Sequence, residues 1–390
     1  MEIRDFNLRH LAAVTAVRAL GTVSGAARTV HLTQPAITQG IAKLERALGM
    51  PLFLRRPDGM EPTEACSLLA ARAEVALRLI ASRRTSMTQI RAFLAFASGG
   101  TYASAAAATG LSEASLHRAV SDLSAAYGGT LLDRRGRRLI LTRKGQAIAR
   151  SLRLAVVELE AALVDIAALA GREIGRITIG AMPLARARLL PDVIARFHAE
   201  HPGTDLAVIE GSHAELVDPL RDGRVDILVG ALRQESAAEF VTEPLFRDIP
   251  LIVGRAGHPL KNLSGAIDGK RLLSYPWIVP GKSTPLRTLW RRMFEQLGEK
   301  APHVAIECGS GLMIRQILIA SDHLTLLSAD QISVELEAGW LRSFGPAPGD
   351  LGRTIGATIR ADWRPTVRQQ RFFQLLREGG DSFETSIRIK

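Results

Sequence analysis

Two arginine pairs stand 79 residues apart, Arg55-Arg56 and Arg134-Arg135, and the second is followed by Arg137 and Arg138. Turn residues adjoin both: Pro57, Asp58 and Gly59 follow the first pair, and Gly136 follows the second. Guanidinium groups this dense on a short turn are planar, permanently charged donors that fit phosphate oxygens. A run of small polar side chains precedes each pair. Thr33, Gln34, Thr38, Gln39 and Lys43 precede the first, and Ser112, Glu113, Ser115, His117 and Arg118 the second. Gln pairs bidentately with adenine, Thr meets a thymine methyl or a phosphate, and Glu can accept from cytosine N4. For any one of these residues, Gln39 for instance, a solvated helix surface explains the polarity equally well. The recurrence of arginines at matching tips is what favours phosphate contact.

Charge agrees with that chemistry. The first 150 residues hold 21 Lys and Arg against 10 Asp and Glu, and the remainder balances at 29 against 29. A basic segment on a neutral body predicts a polyanionic partner for that segment. Catalytic patterns do not appear. The sequence contains no Gly-x-Ser-x-Gly elbow, no phosphate-binding loop ending in Lys-Ser/Thr and no His-Glu-x-x-His. The nine histidines lack metal spacing, and His198 and His201 read as surface residues. The chain is therefore expected to be no enzyme, with no cofactor and no metal. Two distant cysteines, Cys66 and Cys308, exclude a disulfide framework and suit a reducing cytoplasm. No apolar run approaches the roughly 18–20 residues of a membrane span, so no membrane partner is expected.

The elements that must carry these residues repeat. A shift of 79 aligns Leu32 with Leu111, Leu44 with Leu123, Gly49 with Gly128, Leu52 with Leu131 and Thr63 with Thr142, without a gap. In the first unit, Leu8, Leu11, Val14 and Val17 mark one helix, which Gly21 stops. Ser24 is the expected cap of a second helix, and Thr33 caps a third with Pro35 in its first turn. Ile37, Ile41, Leu44 and Leu48 form the buried stripe of the third helix. Leu52-Phe53-Leu54 and Met60 predict a hairpin with the arginines at its tip. Helix, helix, turn, helix and hairpin make a winged helix-turn-helix, whose third helix can lie in a major groove. The second unit repeats the plan, with Ile90, Phe93 and Leu94, then Leu116, Val120 and Leu123, as core.

A long helix is expected from Thr142 to about Leu169. Ile148, Leu152, Ala155, Leu159, Ala162, Ile166 and Leu169 are spaced four and three, the seam of a helix packing on a helix. Dimerisation through Ile148, Leu152, Leu159 and Ile166 is one reading, and packing on its own domain is the other. A shorter apolar stretch, 64–82, either packs within the N-terminal half or pairs similarly. Ser82 to Ser86 reads as a linker. From Gly171 strands and helices alternate, which predicts an α/β sheet domain with ligands at the carboxyl ends of strands. Strands are expected at 174–181, 206–209, 225–231, 251–253, 277–279, 305–307 and 324–327. Helices are expected at 189–200, 214–221, 286–297, 312–320, 329–337 and 366–376.

The stretch Leu32-Thr33-Gln34-Pro35-Ala36-Ile37-Thr38-Gln39, with Ile41, Leu44-Glu45, Leu48-Gly49, Leu52-Phe53 and Arg55, resembles the N-terminal signature of LysR-type transcriptional regulators. The second unit resembles the same domain in degraded form, with Glu113-Ala114-Ser115 for Gln34-Pro35-Ala36. Two such domains depart from the family's usual one. Residues 173–379 resemble the family's effector domain through Ile177 to Pro183, Leu189-Leu190-Pro191, Asp226-Ile227 and His258-Pro259-Leu260.

That resemblance implies two all-α winged helix-turn-helix domains, 1–82 and 83–145, a dimerisation helix at 146–171, and an α/β periplasmic-binding-protein-like effector domain at 172–380. Subdomain I would comprise 173–248 and 347–379, and subdomain II 249–346. It places a small-molecule site at Met182, Pro183, Leu184, Ala231, Leu232, Lys282, Ser283, Thr284, Glu307 and Ser310. Leu184 stands where the family often has Ser or Thr, which moves a carboxylate ligand towards Ser283, Thr284 and nearby N–H groups. An aromatic acid, a sugar and a sugar acid all remain open as effector.

The implied partners are double-stranded DNA, further copies in a homodimer or homotetramer, and RNA polymerase, with the protein at the nucleoid. Two alternatives stand beside this reading. One is an intracellular solute-binding protein with a basic docking module, and the other is a sugar- or acid-processing enzyme.

Overall fold

The computed structural model describes residues 1–388 apart from Asp58, Arg137, 234–236, 263–267 and Ser283, and apart from the side chains of Asn262 and 382–388. The chain divides into two compact units. One comprises residues 1–176 with two short later segments, and the other takes up most of 177–388.

The first unit opens with α1 (Leu8–Leu20), α2 (Val23–Val30) and α3 (Gln34–Leu48), followed by β1 (Phe53–Arg56), β2 (Gly59–Pro62) and α4 (Glu64–Ile80). The next segment keeps the order: α5 (Met87–Gly99), α6 (Tyr102–Thr109), α7 (Glu113–Ala126), β3 (Leu132–Arg135), β4 (Arg138–Leu141) and α8 (Arg143–Leu169). Gly21, as its position predicted, closes α1 in the left-handed region, and Gly49 closes α3 in the same way. Thr33 caps α3, and its Oγ1 accepts the Ala36 N–H at 3.3 Å.

The cap of α2 differs from expectation. Thr22, not Ser24, accepts the Gly25 N–H, at 3.2 Å. The chain turns back to extended at Thr22 directly after the left-handed Gly21, which puts Ser24 inside the first turn.

The first hairpin also leans on α1. The Met60 N–H donates to the Gly21 carbonyl at 2.8 Å. Gly59 has φ 149°, and a Cβ there would lie 2.5 Å from that same carbonyl, so the approach requires glycine. One continuous core joins Leu11, Val14, Val17, Ile37 and Leu44 with Leu69, Ala73 and Ile80 of α4 and with Leu152, Leu159 and Ile166 of α8.

The second unit runs β5 (Arg176–Ala181), α9 (Leu189–Glu200), β6 (Asp205–Glu210), α10 (His213–Arg221), β7 (Ile227–Ala231), β8 (Phe240–Asp248) and β9 (Leu251–Arg255). It continues with α11 (Gly269–Leu273), β10 (Ile278–Val279), α12 (Pro285–Gln296), β11 (Ile306–Glu307), α13 (Gly311–Ala320), β12 (Thr325–Leu327), α14 (Ser333–Glu337), β13 (Leu341–Pro346), β14 (Arg353–Arg360) and α15 (Val367–Arg388). A five-stranded sheet has the order β6-β5-β7-β14-β8, a three-stranded sheet the order β12-β9-β13, and β10 pairs with β11.

Three strands had no counterpart in the sequence reading: β8, β13 and β14. β8 contains Pro244 and β13 ends in Gly345-Pro346, residues that interrupt a strand pattern. Both are edge strands with register shifts, where a missing N–H is tolerated. Residues 329–337, expected as one helix, form a 3-10 turn and the short α14.

Candidate functional site

The positive surface is built by α3 and its hairpin. Pro35 and the Thr33 cap start α3, and Ile37, Ile41, Leu44 and Leu48 bury one face of it. The other face then necessarily presents Thr33, Gln34, Thr38, Gln39 and Lys43, all exposed. In β1, Arg55 pairs in register with Met60 and Arg56 with Gly59, so both guanidinium groups stand at the hairpin end. An open recess of about 460 Å³ lies between α3 and the hairpin, with Gln34, Thr38, Glu45 and Arg55 in its lining. The two arginines differ. Arg56 donates to Glu61 at 2.6 Å in a largely exposed ion pair, which offsets part of its charge.

The second set has the same layout with different chemistry. Ser112, Ser115, His117 and Arg118 are exposed on α7, as are Arg134 and Arg135 at the tip of β3. Arg137 lies outside the described residues. Ser112 is occupied as a cap, accepting the Ser115 N–H at 3.2 Å, and its hydroxyl also meets that of Ser115 at 2.9 Å. The His117 ring stacks on Tyr102 with centroids 3.6 Å apart. Sequence reasoning missed Tyr102, which lies on α6 facing α7. Burial pushes its phenol above the ordinary value.

The seam of α8 is filled. Leu152, Leu159 and Ile166 are at most 1% exposed and Ile148 is half-buried, and the helix that covers them is α4 of the same chain. Arg72 of α4, also missed, crosses this seam. It reaches Glu158 at 3.3 Å and Asp165 at 3.0 Å, and all three side chains are nearly buried.

In the second unit, the residues expected to line a ligand cleft fall into two groups. β5 pairs in parallel with β7, which brings Met182, Pro183 and Leu184 beside Ala231 and Leu232 at the carboxyl ends of those strands. Met182 and Leu184 are buried, Pro183 is exposed, and Ala231 and Leu232 are half-buried. The Met182 side chain, out to its Cε, occupies the space a side chain at Gly230 would take.

The parallel pair β10 and β11 puts Gly281, Lys282 and Thr284, which follow β10, at the same strand ends as Glu307 to Ser310. Ser283 lies outside the described residues. The Thr284 hydroxyl is committed, donating to the Gly281 carbonyl at 2.8 Å and accepting the Arg287 N–H. Ser310 caps α13, Lys282 is exposed, and Glu307 pairs with the buried Arg287 at 3.5 Å. Arg188, after β5, meets Asp330, after β12, at 3.7 Å. Burial raises the Asp330 carboxyl above the ordinary value. Arg188 opposes that rise and Asp248 adds to it.

Family models match this architecture in three places. The LysR substrate binding domain matches residues 170–381. The bacterial regulatory helix-turn-helix protein model of the lysR family matches residues 8–67 and again 87–146. The chain belongs to the LysR family of transcriptional regulators.

Among relatives of this LysR-type regulator, HTH-type transcriptional regulator GalR of Pseudomonas putida is 31% identical over 374 residues, covering 91% of this chain and 92% of that protein. HTH-type transcriptional regulator PcaQ of Agrobacterium fabrum is 27% identical over 276 residues, covering 70% and 88%. A point variant of full-length OxyR from Pseudomonas aeruginosa has a similar fold, with TM-score 0.57 at 22% identity, covering 76% of this chain and 94% of that one. CbnR, a LysR family regulator, gives 0.53 at 17%, covering 75% and 98%. The protein is thus a DNA-binding transcriptional regulator with a C-terminal substrate-binding domain for effector sensing, and not an enzyme. Among the described residues no helix is long and apolar enough to cross a membrane.

Proposed function

We propose that residues 8–62 and 87–141 of this LysR-type regulator are two complete winged helix-turn-helix domains, within segments 1–82 and 83–145, joined through 146–171 to the effector domain at 172–380. The observation that carries DNA reading is the exposed row Thr33, Gln34, Thr38, Gln39 and Lys43 beside Arg55 and Arg56. Polar side chains on a helix face can meet base edges while wing arginines hold phosphates. In the second domain Ser112, Ser115, His117, Arg118, Arg134, Arg135 and Arg137 take those parts. The double match of the family's helix-turn-helix model supports the tandem reading. So does the GalR alignment, which runs almost the full length of both proteins.

The effector domain is read as two subdomains, 173–248 with 347–379 and 249–346. Their separate sheets and separate cores support this. The ligand lies between Met182, Pro183, Leu184, Ala231 and Leu232 on one side and Lys282, Ser283, Thr284, Glu307 and Ser310 on the other. With Leu184 apolar and the Thr284 hydroxyl committed, polar recognition falls to Ser310, Lys282 and backbone N–H groups. Aromatic acids, sugars and sugar acids are the classes to screen.

Ligand binding shifts the population of subdomain arrangements and so the placement of DNA-binding units in a homodimer or homotetramer, which then favours or disfavours RNA polymerase. A gel shift on the DNA upstream of its own coding region, titrated with salt, tests the reading. Affinity must fall steeply and linearly on a log–log plot, and an unshifted fragment in dilute buffer would refute it. A thermal-shift screen of small metabolites tests the sensor, since a true ligand raises the melting temperature by mass action.

A further inference from the structure

The reciprocal contacts of α4 and α8 carry an inference that rests on the DNA-reading proposal above. Both helices begin on a threonine that reaches back to the wing. Thr63 Oγ1 donates to the Pro51 carbonyl at 2.8 Å, and Thr142 Oγ1 to the Thr130 carbonyl at 3.0 Å. Residues 51 and 130, like 63 and 142, are 79 apart. The register continues into the buried faces. Cys66, Ala70, Ala73, Ala76 and Ile80 of α4 correspond to Gly145, Ala149, Leu152, Ala155 and Leu159 of α8, and all ten are buried.

The contacts between the helices then exchange under the same shift. Arg72 meets Glu158 at 3.3 Å, while the Ser151 hydroxyl donates to the Leu79 carbonyl at 2.8 Å. Ser151 is the counterpart of Arg72, and Leu79 the counterpart of Glu158. Residue i touches j, and the counterpart of i touches the counterpart of j, which is the signature of a two-fold interface. Partner numbers fall on α8 as they rise on α4, so the helices run antiparallel. An interface of the kind two subunits form is thus closed within one polypeptide.

A two-fold pair of reading helices reads two half-sites. The two heads carry different side chains at corresponding positions: Gln34 and Glu113, Thr38 and His117, Gln39 and Arg118, Lys43 and Asp122. Gln suits adenine, whereas Arg suits guanine and Glu can accept from the cytosine paired with it. We propose that a single chain occupies a bipartite operator with unlike half-sites, an A·T-bearing one under α3 and a G·C-bearing one under α7.

Two measurements on the full chain test this. The first is hydroxyl-radical footprinting on the fragment upstream of its own coding region, with R55A/R56A and R134A/R135A as variants. The wild type should protect segments in pairs of unlike sequence. Each variant should lose one member of each pair, needing about tenfold or more protein to restore it, while the other member stays protected. A footprint unchanged by R134A/R135A, or lost entirely with either variant, overturns the inference. No wild-type footprint at all would sink the regulator reading instead.

The second introduces Leu79→Cys and Ser151→Cys into a chain with Cys66→Ala and Cys308→Ser, then adds a short bismaleimide. A cross-linked product of single-chain mass is expected on a denaturing gel. A two-chain product, or none from the folded protein, overturns pairing within the chain.

Discussion

The Glu45 carboxylate accepts the backbone N–H of Leu52 at 2.7 Å, with the same oxygen 3.2 Å from the Phe53 N–H. This ties the root of the first hairpin to the helix carrying Gln34 and Thr38. The counterpart, Ser124, instead donates to its own helix at Val120, 2.9 Å away, and leaves the second wing without that tie. Glu45→Ala should lower the stability of the N-terminal unit by about 1–3 kcal/mol, as expected for half-buried N–H groups left without an acceptor. Far-UV circular dichroism in urea measures it, because all four tryptophans lie in the other unit.

The two wing arginines should differ in effect. Arg55→Ala should weaken DNA binding and flatten the log–log salt dependence by about 0.9. Arg56→Ala should do less, because Glu61 already shares its charge. Glu61→Ala should tighten binding by releasing Arg56 to a phosphate. Gel shifts at several salt concentrations rank the three, and equal slopes for Arg55→Ala and wild type would remove that residue from the phosphate contacts.

Cys66 is fully buried on α4, and burial pushes its thiol up to about 12, with Glu45 adding to the shift and Arg18 opposing it. The thiolate is the reactive form, so at pH 8 Cys66 should resist iodoacetamide until the unit unfolds. Cys308, half-buried after β11, should be alkylated first. Mass spectrometry of timed samples separates the two sites.

Arg72→Ala should be costly. It would take the guanidinium from between Glu158 and Asp165 at the α4–α8 seam, and breaking a buried ion cluster by removing one member costs about 3–5 kcal/mol. The triple replacement Arg72→Met, Glu158→Leu, Asp165→Leu should recover most of that loss, since apolar groups of similar volume need no counter-charge. Urea midpoints of the two variants decide it.

Asp330 sets a pH-dependent difference. Its carboxyl titrates above the ordinary value of about 3.9, so the folded protein holds the proton over a range where the unfolded chain has released it. The contribution of Asp330 to stability should therefore be greatest at acid pH and fall as pH rises through that window. The stability difference between wild type and Asp330→Asn should shrink or reverse in thermal melts as pH rises above about 4, the unfolded carboxyl's own range. A flat difference would mean that Arg188 fully compensates burial.

Much of this was legible beforehand because it is written in local patterns. The cap Thr33, the left-handed Gly21 and Gly49, and the stripes Ile37-Ile41-Leu44 and Leu152-Leu159-Ile166 each depend on spacing within a few turns of chain. What stayed hidden depends on distant partners. Pro244 reads as a loop residue until the strand holding it proves to be a sheet edge. Arg72 looks like ordinary helix surface until α8, some 90 residues later, supplies two carboxylates. The α8 seam was readable as a helix interface, but periodicity does not say whose helix covers it. The Thr284 hydroxyl read as a free donor because its bond to Gly281 depends on loop geometry.

The pairing of α4 with α8 inside one polypeptide also bears on how such a protein can change over generations. In an assembly of identical subunits every substitution in a reading helix appears twice, so both halves of the recognised sequence must drift together. Here position 34 can hold glutamine while position 113 holds glutamate. On the proposed operator, each head answers to its own half of the promoter, and a mutation on one side of that promoter can be matched by one codon without disturbing the other.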